Sequence, residues 1–257
     1  MYDALSMDYD RFVNWPSRLA FEMPFIESQL NRLGETEKPL RVLDAACGTG
    51  MHVIALAERG FKADGADLSE KMVEKAKVNA ATAGVMSRFK AAGFDVLQRD
   101  FADSLPYDAV LCLGNSLPHL TNLADLQNAL NDFSACLKPG GMLLVQNRNF
   151  DAVMANHDRW MEPQAHEEEN GEWLFVRFYD FAVDGLIDFN ILTLYRTRGE
   201  AWQQRMTQTR LYPLKQVELT EALLKSGFTD LELFGGMNGQ PFDRATSGNL
   251  IIGCRKG

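Results

Sequence analysis

The residues best suited to chemistry fall in three glycine- or asparagine-led clusters. The first is Asp44-Ala45-Ala46-Cys47-Gly48-Thr49-Gly50, where an apolar run breaks into a tight turn and then a helix-compatible stretch. Gly48 and Gly50 lack a side chain, so the backbone can take positive φ and approach a ligand, with helix amides from His52 onward pointing at it. Two incidental glycines in a strand-to-helix turn are the alternative. Asp67 favours the nucleotide reading: it ends the next apolar stretch, Phe61 to Ala66, where a doubly wound sheet places an acid for ribose hydroxyls. Position 53 is Val, not the third glycine of G-x-G-x-x-G, which disfavours a dinucleotide. The other clusters are Gly114-Asn115-Ser116-Leu117-Pro118-His119-Leu120 and Gln146-Asn147-Arg148-Asn149-Phe150, each at the end of an apolar run.

Those runs define the scaffold. Tyr9 to Leu33 carries apolar residues at helical spacing, interrupted by Pro16 and Pro24, and reads as a helical cap over the ligand mouth. Val53 to Arg59 is helical and stops at Gly60; Ser69 caps a helix whose apolar face is Met72, Val73, Ala76 and Ala80. A third strand lies between Met86 and Leu97. Tyr107 to Leu113 is nearly continuous in apolar residues, as a parallel strand buried on both faces requires. A helix over Leu123 to Leu137 follows, then a turn at Lys138-Pro139-Gly140-Gly141 and a fifth strand from Met142 to Val145. Beyond it, Glu167 to Glu169 reads as a solvated acidic loop. Trp173 to Phe181, Leu186 to Tyr195 and Gln203 to Tyr212 form an antiparallel meander, separated by Asp184-Gly185 and Arg198-Gly199-Glu200. A helix from Leu214 to Ser226 and strands at Thr229 to Phe234 and Asn249 to Cys254 close the sheet. The expected fold is α/β: a Rossmann-like sheet of seven strands with helices on both faces and an antiparallel β insertion over the active site. Its divisions are a cap and cofactor-binding core over 1–150, the insertion as substrate lid over 151–212, and the rest of the core over 213–257.

Composition narrows the function. A chain of 257 residues with net charge −9 offers no electrostatic footprint for a phosphate backbone, so nucleic acid is not the expected partner. Cys47, Cys112, Cys136 and Cys254 are scattered in apolar stretches without C-x-x-C spacing, as in a reducing compartment, and no metal cluster is spelled out. Met1 to Asp10 is not a leader in type, and no apolar run nears the roughly 20 residues of a membrane span. The expectation is a cytoplasmic protein acting on a small molecule, its oligomeric state open.

Asp44, Gly48 and Gly50 match the acid-x-x-x-Gly-x-Gly motif, and the pattern resembles the S-adenosylmethionine-dependent methyltransferases. Leu111 to Leu120, Asn147-Arg148-Asn149-Phe150-Asp151 and Thr209-Arg210-Leu211-Tyr212-Pro213 sharpen this: they resemble the glycine N-methyltransferase family with its sarcosine and dimethylglycine relatives. The resemblance implies S-adenosyl-L-methionine as cofactor and methyl transfer to the amine of a small amino acid by in-line displacement. It implies that Arg18 meets the methionyl carboxylate, that Asp44, Ala46, Gly48 and Gly50 shape the cofactor loop, and that Asp67 holds the ribose diol. Leu68, Met72, Leu113 and His119 complete that set, His119 as a brace. Asn115 and Arg148 would face the substrate, Arg148 gripping its carboxylate. Tyr212 and Tyr195 would place hydroxyls near sulfonium and amine. Where the family has an acid or amide before an aromatic, this chain has Gly93-Phe94, with Asp95 and Asp100 displaced; Phe94 is placed to stack on adenine, and the group reading its amino edge stays open. Two rivals remain: a small-molecule methyltransferase with a phenol, quinone or carboxylic acid as acceptor, and a cofactor-binding sensor without turnover.

Overall fold

The computed structural model describes residues 8–34 and 37–257; the leader reading of the first ten residues lies largely outside them. The element order opens with two helices, α1 (Tyr9–Phe12) and α2 (Trp15–Asn31), the latter capped by Asn14 accepting from the Ser17 amide at 3.2 Å. Then come β1 (Arg41–Asp44), α3 (Met51–Glu58), β2 (Lys62–Asp67), α4 (Glu70–Thr82) and β3 (Phe89–Ala91). After the short α5 (Leu97–Asp100), the chain continues through β4 (Tyr107–Cys112), α6 (Leu123–Cys136) and β5 (Leu137–Arg148). The remainder is α7 (Phe150–Asn156), β6 (Gln164–Glu168), β7 (Gly171–Phe181), β8 (Ile187–Thr197), β9 (Gln203–Leu211), α8 (Gln216–Lys225), β10 (Phe228–Phe234) and β11 (Asn249–Lys256).

Seven strands form one sheet in the order β10-β11-β5-β4-β1-β2-β3. β5, β4, β1, β2 and β3 run parallel, and β11 is antiparallel to both neighbours. Alternate residues of the central strands serve opposite cores. Val110 and Cys112 pack with α6 and α8, including Leu130, Phe133 and Leu223. Ala109 and Leu111 pack with α2, α3 and α4, including Met23, Ile26, Val53 and Ala76. Helices cover both faces, so a central strand such as β4 reads as a nearly continuous apolar run. Strand order reverses between β1 and β4, the place where an open α/β sheet leaves a crevice at its carboxyl edge. The second sheet, β6-β7-β8-β9, is antiparallel throughout, with its own small core of Phe150, Val153, Tyr179, Ile187 and Leu211.

Three local expectations are corrected. Glu167 and Glu168 are not in a solvated loop: they pair with Glu172 and Gly171 in an edge strand, and Glu168 accepts from the Arg11 guanidinium at 2.5 Å. The turn at Lys138 to Gly141 does not precede the fifth strand but lies within it, as an irregularity between the pairs Tyr107–Leu137 and Ala109–Met142. The polar link after Arg148 begins with a helix, α7, that composition hid. Among the described residues no helix is long and apolar enough to cross a membrane, and no group of His, Cys, Asp and Glu is arranged to hold a metal.

Candidate active site

Two cavities meet at the carboxyl edge of the sheet, sharing Tyr9, Arg18, Gly114 and His119 in their walls. The larger, about 460 Å³, lies over the β1–α3 loop. Gly48 is in its wall at φ +53°, and the Gly48 amide donates to Asp67 Oδ2 at 2.9 Å while the Ser69 amide donates to Oδ1 at 2.9 Å. One carboxylate at the end of β2 thus binds the first loop to the start of α4, where Ser69 caps the helix through Met72 N. Ala46, Leu68, Met72, Gly93, Phe94 and Leu113 also line this cavity. Phe94 is fixed edge-on to Phe133, ring centroids 5.4 Å apart. Asp95, left displaced by the motif comparison, is in the wall as well, whereas Asp100 is not and binds Arg99 Nε at 2.8 Å.

Asp44 and Gly50 do not reach either cavity. Asp44 is 1% exposed and accepts from the Ala46 amide at 3.1 Å; burial pushes its pKa up to about 6 against the attraction of His52 and that amide. It sits beneath the loop. Gly50 caps α3 at φ +84°, and a Cβ there would lie 2.9 Å from the Ala76 Cβ and 3.0 Å from the Phe89 ring. Its missing side chain serves helix-to-sheet packing, not ligand approach.

Arg18 projects from α2 to the shared wall. Its Nε donates to Glu22 Oε2 at 3.0 Å, and the same oxygen lies 2.7 Å from His52 Nε2. Burial works against the Arg18 charge, but Glu22, Tyr9 and Asp44 together outweigh it and the pKa is raised; the Glu22 pKa is lowered by His52 and Arg18 against its own burial. His119 is pushed down to about 4, chiefly by burial, and is a neutral imidazole at pH 7.

The second cavity, about 350 Å³, lies between the carboxyl ends of β4 and β5 and the inner face of β7 and β8. Gly114 and Asn115 take successive left-handed conformations, φ +73° and +67°. The Asn115 amide donates to Gln146 O at 3.0 Å, its Oδ1 accepts from the Arg148 amide at 2.9 Å, and the Gly114 amide donates to Gln146 Oε1 at 3.1 Å. These bonds extend the β4–β5 ladder past its end and aim Arg148. The next residues anchor the turn: Asn149 donates to Ser247 O at 2.9 Å, and Asp151 accepts from Gln216 N at 2.8 Å and Arg244 Nε at 2.7 Å. The Arg148 side chain has no carboxylate partner among the described residues. Its Nε, both side-chain polar atoms of Asn147 and Gln164 Oε1 are buried without a hydrogen bond. Native proteins rarely leave buried polar atoms so, which marks a place for a polar ligand.

Tyr212 and Tyr195 stand apart from both cavities. The Tyr212 hydroxyl donates to Glu218 Oε1 at 2.6 Å, tying β9 to α8, and Tyr195 pairs with Trp173 and Gln203 far along the second sheet. Among the described residues Tyr9 and Tyr179 are the tyrosines in the cavity walls; burial raises the pKa of both, Tyr179 to about 12. Arg177 is a further wall residue that the motifs did not reveal. A signal existed: in Trp173, Phe175, Arg177, Tyr179 and Phe181, strand alternation puts one cation on an otherwise apolar face. Helix α1 roofs the junction, held through Asp8 to Arg205, Arg11 to Glu168, and Asp10 to Trp15 Nε1 at 2.9 Å and Thr49 Oγ1 at 2.7 Å.

Comparison with known proteins gives this geometry a context. A family profile described as "Methyltransferase domain" matches residues 42–141. The glycine/sarcosine N-methyltransferase of Aphanothece halophytica is 30% identical over 227 residues, covering 88% of this chain and 79% of that one. The glycine/sarcosine N-methyltransferase of Halorhodospira halochloris is 38% identical over 146 residues, 57% of this chain; the match spans 52%, about half, of that relative's length. A solved S-adenosylmethionine-dependent methyltransferase from Clostridium acetobutylicum superposes with a TM-score of 0.79 at 16% identity, over 100% of this chain and 99% of that one, and has the same fold.

Proposed function

The chain belongs to the glycine/sarcosine N-methyltransferase family of S-adenosylmethionine-dependent enzymes, and from this premise we propose that it methylates the amine of a small amino acid. The observation that carries the reading is the cavity beside the β1–α3 loop cavity, where Arg148 stands with a buried, unpartnered Nε. A guanidinium there fits a carboxylate by a bidentate pair and so orients an α-amine toward the shared wall.

The first cavity suits S-adenosylmethionine in the chemistry of its donors. In this reading Asp67 takes the ribose hydroxyls, Phe94 and Leu68 flank the base, and Asp95 accepts from the adenine amino group. Arg18, anchored by Glu22, meets the methionyl carboxylate. When bound, S-adenosylmethionine supplies a methyl group on a sulfonium, so a neutral amine held in line needs no strong base. The work left to the protein is alignment and exclusion of water, and proximity contributes several kcal/mol to such a step. Arg148 and Asn115 hold the acceptor, α1 covers the junction, and His119, being neutral, braces the wall without adding charge.

The test is transfer of label from methyl-labelled S-adenosylmethionine to glycine, sarcosine and other α-amino acids, with a no-acceptor control. Labelled amine formed beside S-adenosylhomocysteine supports the reading. Cofactor binding by calorimetry with no transfer to any amino acid overturns it and moves the acceptor to a phenol, quinone or carboxylic acid.

A further inference from the structure

We propose that Arg177 is a second anion-binding residue of the acceptor cavity, so that the preferred acceptor is an amino acid with a second carboxylate, of the aspartate or glutamate type; this rests on the amine-methylation reading above. Arg177 lies on the inward face of β7, between Phe175, 0% exposed, and Tyr179, 2% exposed, and opposite Ile191 of β8. An arginine at such a position gives up hydration, and protein arginines so placed carry a carboxylate. Arg18, in the wall of the same cavity, does so through Glu22. Arg177 has no such partner among the described residues; its Nε is buried without a hydrogen bond, and its guanidinium carbon sits 4.9 Å from the Phe12 ring centroid.

The charge count of the cavity leads to the same place. Among the described residues its walls hold Arg18, Arg148 and Arg177 against one acid, Glu22, and Glu22 is already engaged by Arg18 and His52. Two guanidiniums are left: burial above all lowers the Arg177 pKa, Tyr179 opposes this, and the charge of Arg148 adds to the lowering. A monocarboxylate such as glycine neutralises one of them. A dicarboxylate neutralises both, with Tyr179, whose phenol burial keeps neutral, between hydrophobic and charged walls. Size agrees. Five heavy atoms, as in glycine, displace at most about 150 Å³ at roughly 30 Å³ per water-sized atom; the cavity offers about 350 Å³.

Arg177 could instead serve only to hold Phe12, and hence α1, over the site. The two roles separate by acceptor. Initial rates of label transfer are measured on the full chain with glycine, sarcosine, aspartate, glutamate and iminodiacetate, and with asparagine and glutamine as neutral counterparts, for the wild type, Arg177→Gln and Arg177→Lys. The expected result is that kcat/KM for the better dicarboxylate exceeds that for its amide by about 30-fold or more, as a site built around a charged group should discriminate. Arg177→Gln should bring that ratio below about threefold, mainly through KM, Arg177→Lys should restore part of it, and calorimetric affinity for S-adenosylmethionine should be retained. Transfer to glycine or sarcosine with no dicarboxylate preference overturns the role of Arg177 and leaves amine methylation standing. A fall in kcat/KM for acid and amide alike in Arg177→Gln also overturns it, since that is the mark of a roof support. No transfer to any amino acid overturns both readings.

Discussion

Replacing Arg148 by alanine separates a ligand-binding guanidinium from a structural one. The Arg148 amide, not its side chain, makes the bond to Asn115, and the side chain has no carboxylate partner among the described residues, so truncation leaves the β4–β5 connection intact. It also removes a like charge near Arg177. The thermal midpoint should therefore not fall. Taking one partner from a buried charged pair costs about 2–5 kcal/mol; because Arg177 leaves positive charge in the cavity, the lower part of that range applies, about 2–3.5 kcal/mol. At about 1.4 kcal/mol per tenfold, the acceptor KM should rise roughly 30- to 300-fold. S-adenosylmethionine occupies the other cavity in this reading, and its dissociation constant should stay within about twofold, a margin well under 1 kcal/mol. The assay pairs label-transfer kinetics over an acceptor series with calorimetry of the cofactor and a melting curve. Equal losses in acceptor and cofactor binding, or a midpoint lowered by more than about 4 °C, the shift about 1–2 kcal/mol brings in a chain of this size, would refute the division of labour.

Tyr212→Phe loses only the bond to Glu218, so stability should drop by about 1 kcal/mol in denaturant titration while kcat changes less than about threefold; a large kcat loss would return Tyr212 to the active site. Asp44 binds its proton more tightly folded than unfolded, about 6 against 3.8, so its charge opposes folding increasingly as pH rises through that window and fully above it. Asp44→Asn should add up to about 3 kcal/mol at about pH 7.5 and only about 0.5 kcal/mol near pH 4, checked by urea titrations at both. Gly50→Ala must place a Cβ at φ +84° against Ala76 and should cost about 2–4 kcal/mol, seen as a lowered melting midpoint with the protein otherwise able to bind cofactor.

The sequence by itself determined the periodicities, and through them the sheet. Tyr107 to Leu113 had to be buried on both faces because, Asp108 at its start apart, it offers no polar side, and Met72, Val73, Ala76 and Ala80 had to turn inward because helical spacing puts them on one stripe; all four are buried. The glycine-led clusters at the ends of β1 and β4 were legible for the same reason, since backbone at φ above zero excludes most side chains. Residue roles that depend on what lies opposite were not. Glu167 and Glu168 look like a solvated run until β7 supplies ladder partners. Tyr212 looks like a site hydroxyl until α8 brings Glu218 to it, and Gly50 looks like a glycine that lets the backbone approach the cofactor until Ala76 and Phe89 close over it. Arg177 shows the limit most plainly. Alternation marks it as an inward cation, but only the fold brings it beside Arg148 in a cavity where no acid among the described residues remains to pair with either, because charge balance is a property of neighbours in space and not of neighbours in the chain.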